Sequence, residues 1–106
     1  MDEGEEPEAA AVRECLEETG VRCFNPQPLV FYHVGLDTAF NPTHLFYCHE
    51  VSEELEPKQI HTKEVSSSEW VPFDRCIEMI FNQEILDSFS ITALLAYRVI
   101  KDRVGA

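Results

Sequence analysis

Three carboxylates fall within five residues in the run Arg13-Glu14-Cys15-Leu16-Glu17-Glu18-Thr19-Gly20-Val21. On a helix, at about 100° per residue, Glu14, Glu17 and Glu18 share a face, with Glu18 one turn after Glu14. Carboxylates crowded in this way repel one another, so the patch must face open water or hold a cation. Hard divalent ions such as Mg²⁺ take oxygen ligands, commonly a few carboxylates completed by waters and substrate phosphates. Arg13 lies one turn before Glu17 and can brace it. Gly20 is placed to end the helix in the left-handed conformation.

With these residues at this spacing, the segment resembles the Nudix box. The family pattern is Gly, five residues, Glu, seven residues, then Arg-Glu-U-x-Glu-Glu-x-Gly-U, where U is a bulky aliphatic residue. Glu5 precedes Arg13 by the required seven residues, and Arg13, Glu14, Glu17, Glu18, Gly20 and Val21 all match. Cys15 stands where an aliphatic residue is usual, a mild change because a free cysteine packs as a small hydrophobe. The Ala9-Ala10-Ala11 run is also typical of the segment. The pattern's first Gly would fall before Met1, so the sequence reads as a truncated domain that begins inside the box. Gly4 is not that glycine.

The resemblance implies an α/β (α+β) fold, a truncated Nudix-type α/β/α sandwich with a mixed sheet. It would occupy residues 1–106 as one partial domain, with the box loop and helix over 1–21 and strands and C-terminal helices over 22–106. It also implies Mg²⁺-dependent (or Mn²⁺-dependent) hydrolysis of a nucleoside diphosphate linked to another moiety. Glu14 and Glu18 would be metal ligands, Glu17 a further or water-mediated ligand, and Arg13 the residue that orients the glutamates. Glu5 would support the box loop through Arg13. The backbone ligand near the absent Gly is missing, which predicts weak metal affinity and low turnover. A further carboxylate often comes from a later loop in this family; Glu53, Glu54, Glu56 and Glu64 are equivalent candidates. The Glu69-Trp70-Val71-Pro72 run, the short helix after it and Asp87-Ser88 before a last helix resemble the ADP-sugar pyrophosphatase branch. ADP-ribose or another nucleotide sugar is the substrate type this suggests. The alternative is a non-catalytic Nudix-like module that acts through oligomerisation or partner binding, or one piece of an enzyme completed by another chain.

Composition sets the remaining bounds. A chain of 106 residues with 44% hydrophobic residues is one domain at most and can form a core. The net charge of −12 disfavours nucleic acid and anionic membrane as partners, since phosphates need Lys and Arg to neutralise them. No apolar run approaches the length of a membrane span, and the acidic start does not read as a signal peptide. Cys15, Cys23, Cys48 and Cys76 have no C-x-x-C spacing, so zinc is not expected, and a reduced, cytoplasmic setting fits.

The elements that must position these residues follow from pattern. Pro7 suits a first helical turn, and the helix is expected over 7–19 with Ala9, Ala10, Val12 and Leu16 as its apolar side. Asn25-Pro26-Gln27-Pro28 reads as a turn. Leu29–Val34 and His44–Val51 read as strands, and Ser52–Glu64 as a polar, acidic loop. Ser66–Val71 leads into a third strand with Trp70 in the core. Pro72 and Asp74 open a short helix to about Asn82, with Ile77 and Ile80 inward. Ser88 or Ser90 caps a final helix to Val104, with an apolar stripe of Ile91, Leu94, Leu95, Val99 and Ile100. Phe31, Tyr32, Phe46 and Tyr47 read as sheet residues rather than a base-stacking platform. His33 and His44 lie near strand ends, where they could approach a ligand, and His49 and His61 complete a set without metal-site spacing. An uncovered sheet edge predicts a homodimer or larger species paired through the two main strands.

Overall fold

Pro7 opens the first helix, as its fixed φ and missing N–H allow at a helix start. The helix, α1, runs Pro7–Thr19 in a computed structural model that describes residues 4–35, 42–54 and 69–104. Its end is set by Gly20, which adopts φ 78° and donates its N–H to the Leu16 carbonyl at 2.9 Å. Four strands follow: β1 (Val21–Phe24), β2 (Gln27–His33), β3 (Pro42–Tyr47) and β4 (Glu50–Glu53). Two helices end the chain, α2 (Phe73–Phe81) and α3 (Ser88–Val104). The fold is α+β, compatible with the Nudix-type class expected from sequence.

The chain divides into two compact units. The first comprises Met1–Pro28 and Phe46–Glu69. In it α1 packs on β1, and β1 pairs antiparallel with β4 in the register Val21↔Glu53, Arg22↔Ser52, Cys23↔Val51 and Phe24↔Glu50. The ladder continues past Val21, because the Glu54 N–H donates to the Gly20 carbonyl at 2.8 Å. Gly20 thus ends the helix and starts the sheet within one residue. Ala10, 3% exposed, is the fully buried hydrophobic residue among those described. Its small side chain lets a helix approach its neighbours closely. Ala9, expected on the same apolar side, is exposed.

The second unit comprises Leu29–Leu45 and Trp70–Ala106. Strands β2 and β3 form its two-stranded sheet. The Phe31 ring lies 4.5 Å from that of His44 and 5.5 Å from that of His33, centroid to centroid. Helices α2 and α3 are joined by an edge-to-face contact between Phe73 and Tyr97, centroids 5.2 Å apart. Arg98 and Lys101 lie over the Phe73 ring, and Arg98 also donates to Asp74 at 2.6 Å. Ile77 and Ile80 are half-buried.

Three expectations from the sequence change here. The expected strand His44–Val51 is two strands, broken at Cys48-His49. There the Cys48 thiol donates to the carbonyls of Phe24 (2.8 Å) and Glu50 (3.1 Å), a side-chain bond at the break in the ladder. Residues 69–72 carry no regular structure, and Trp70 is 65% exposed rather than core. A proline two residues on disfavours a central strand and suits a helix entry, and Pro72 does stand at the head of α2. Ser66–Ser68 lie outside the described residues. Finally, the cap of α3 is Asp87, not Ser88 or Ser90. Its Oδ2 accepts the Ser90 N–H at 2.8 Å and its carbonyl accepts the Ile91 N–H. That hydrogen bond from Ser90 is the main cause that holds the Asp87 carboxyl below its ordinary value.

Candidate active site

The site builds outward from Arg13. Its Nε and Nη2 donate to the two carboxylate oxygens of Glu5, each at 3.0 Å. This is the two-pronged geometry that a planar guanidinium offers a carboxylate. Its Nη1 donates to Glu17 at 2.9 and 3.2 Å, one helical turn on. One arginine therefore ties the loop before α1 to the middle of the helix, through the partly buried Glu5 and the exposed Glu17. These are the contacts that Glu5 as a support of the loop and Arg13 as a brace of Glu17 would make.

Glu14, Glu17 and Glu18 are all exposed on α1. Glu17 is engaged by Arg13. Glu14 and Glu18, one turn apart, have neither a hydrogen-bond nor an ion-pair partner among the described residues. Two solvated carboxylates one turn apart are an oxygen donor set that suits a hard divalent cation. Among the described residues, no group of three or more His, Cys, Asp or Glu side chains is placed to hold a metal ion, the trio Glu14, Glu17 and Glu18 included.

The later carboxylates separate in use. Glu54 pairs with Arg22, Nε to Oε2 at 2.8 Å, and Glu53 lies in β4 opposite Val21. Glu56 and Glu64 lie outside the described residues, as does His61. His33 and His44 pack against Phe31, as ordinary strand residues do.

Three features were not read from the sequence. A hollow of about 540 Å³ lies beside α1, lined by Glu6, Glu8, Ala9, Val12, Arg13, Leu16 and Arg22. A second, of about 310 Å³, is lined by Phe24, Asn25, Gln27, Tyr47, His49 and Glu50, with the Tyr47 and His49 rings 5.5 Å apart. Tyr47 is thus partly a hollow-lining residue and not simply a sheet residue. Spacing of two between Tyr47 and His49 was the available signal, but in an unbroken strand it would mean only a shared face. The cysteines also converge: Cys23 Sγ lies 3.7 Å from Cys15 Sγ, and the Cys15 Sγ is 3.6 Å from the Thr19 hydroxyl.

Among the described residues, no helix is long and apolar enough to cross a membrane. No curated protein matches the chain. The family model described as the NUDIX domain matches residues 1–89, which take in Glu5, Arg13 and all three box glutamates together with β1–β4 and α2. On that match, which covers most of its length, the chain belongs to the NUDIX family.

Proposed function

We propose that this chain acts in Mg²⁺-dependent hydrolysis of a nucleoside diphosphate linked to another moiety, of the ADP-ribose or nucleotide-sugar type. The observation that carries the reading is the division of labour on α1. Arg13 is spent on Glu5 and Glu17, while Glu14 and Glu18 are left exposed and unpartnered among the described residues. Glu14 and Glu18 would hold the cation, with Glu17 contributing through a water or directly. When bound, a divalent ion would neutralise diphosphate charge and favour an attacking water at neutral pH. Arg13 fixes the helix against the loop that precedes it, so the carboxylates keep a set position. The ADP-ribose type rests on the looser likeness of the Glu69–Pro72 run and the helices after it.

Hydrolysis of ADP-ribose, followed by release of AMP, tests the reading. Product should form only with Mg²⁺ or Mn²⁺, and Glu18→Gln should lower the rate by roughly two to three orders of magnitude. Ion-independent hydrolysis, or a Glu18→Gln rate equal to that of the parent, contradicts it.

A second reading, a non-catalytic module that works through self-association, is favoured by a different observation. Phe31 on β2 is 53% exposed, and Phe81 and Leu86 are 72% and 76% exposed. Exposed apolar side chains of this kind, and the edges of a β2–β3 sheet that has no third strand among the described residues, are what a second copy would cover. The two readings are compatible if the copies meet away from α1, since burying unpaired carboxylates is costly.

A further inference from the structure

Cys15 lies on α1 between the box glutamates, Cys23 on β1 and Cys48 at the break between β3 and β4. The Cys23 thiol points its hydrogen at the Cys15 sulfur, 3.7 Å away, across the packed face of helix and strand. Cys48 is near enough to act on Cys23 as well, and its own thiol is held by the Phe24 and Glu50 carbonyls. Buried single cysteines are ordinary packing residues. Three thiols drawn from three separate stretches, two of them in sulfur–sulfur contact, are a different arrangement. A disulfide needs its sulfurs about 2.05 Å apart, and here they stand at 3.7 Å.

We propose that Cys15 and Cys23 form a reversible dithiol–disulfide site, oxidised by a small soluble disulfide such as glutathione disulfide. The Cys15 thiolate attacks one sulfur of the oxidant, forms a mixed disulfide and releases one glutathione thiolate. The Cys23 sulfur, having lost its proton to solvent, then attacks the Cys15 sulfur and releases the second. The protein loses two electrons and two protons, and glutathione disulfide becomes two glutathione thiols. The order follows from environment. Burial first, then the hydrogen bond and charge of Cys15, push the Cys23 thiol up to about 12, so it is the poorer first nucleophile. Once Cys15 is capped, its share of that upward push is gone. The product ties α1, at the residue next to Glu14, to β1.

The test equilibrates the whole chain in glutathione buffers of increasing oxidised fraction, traps free thiols with N-ethylmaleimide and maps disulfides by mass spectrometry after trypsin. Arg22 is a cleavage point, so Cys15 and Cys23 fall on different peptides. The expected result is a link between the Cys15 and Cys23 peptides that dithiothreitol removes and that survives in a Cys48→Ser/Cys76→Ser variant. Cys48 lies on the same tryptic peptide as Cys23, since no Lys or Arg falls between Arg22 and Lys58, so in the native chain the fragment ions of the linked peptides assign the partner of Cys15 even if the variant folds poorly. Full alkylation of Cys15 at every glutathione ratio overturns the proposal. So does a Cys15 glutathione adduct that never resolves, or a link lost in a folded Cys48→Ser/Cys76→Ser variant, which would make Cys48 the partner.

Discussion

At the scale of single residues, what matters is which charged groups are already satisfied. Arg13 pairs with Glu5 and Glu17 together. Among the described residues, that leaves Glu14 and Glu18 as the box carboxylates without an ion-pair partner. The same reasoning applies to Asp87, whose carboxylate accepts the Ser90 N–H at the start of α3. Such a cap is worth about 1 kcal/mol, so Asp87→Ala should lower the unfolding free energy by roughly that amount in denaturant titrations near neutral pH. The pH dependence has a definite sign. The folded-state carboxyl is held below its ordinary value of 3.8, chiefly by the Ser90 hydrogen bond. Its contribution is therefore complete above that value and is lost as pH falls through the lower, folded-state value. The gap between Asp87→Ala and the parent should close in acid. A gap that stays constant down to pH 2, a value well below the usual carboxylate range, would contradict the capping role.

At the scale of elements, Gly20 is the hinge of the site. It takes a left-handed conformation, closes α1 and accepts the last ladder bond from Glu54. A side chain there is strained, so Gly20→Ala should destabilise the chain by about 1–2 kcal/mol, measured as a lower urea midpoint with an unchanged slope. No change in midpoint would mean that the turn relaxes freely. The sequence foretold this helix to the residue, because a proline at one end, a glycine at the other and a fixed charge pattern between them all act locally. It did not reveal β1, since four residues straight after a helix are too few for a period to register. Nor did it show the break at Cys48-His49. That break comes with thiol-to-carbonyl bonds to Phe24 and Glu50, and the first partner is far away in sequence. Trp70 misled for the opposite reason: its type favours strands, but Pro72 turns the segment into a helix entry. The box residues were legible at the site because helix geometry alone places them. The thiol cluster and the hollow at Phe24, Tyr47 and His49 were not, because both depend on strand pairing and chain breaks.

At the scale of the whole chain, a net charge of −12 on 106 residues opposes association, while exposed Phe31, Phe81 and Leu86 offer apolar surface that association would cover. Area removed from water should win in moderate salt, where surface charge is screened. Sedimentation equilibrium at micromolar concentration should then show a dimer or larger species, and a monomer throughout that range would rule out the self-association reading. The central claim is that the exposed pair Glu14 and Glu18 holds the divalent ion, and calorimetric titration with Mn²⁺ tests it most directly. The parent chain should show a saturable site, and Glu14→Gln/Glu18→Gln, with Arg13, Glu5 and Glu17 untouched, should lose it while keeping the parent's circular dichroism. Mn²⁺ binding of equal affinity in that folded double variant would contradict the account.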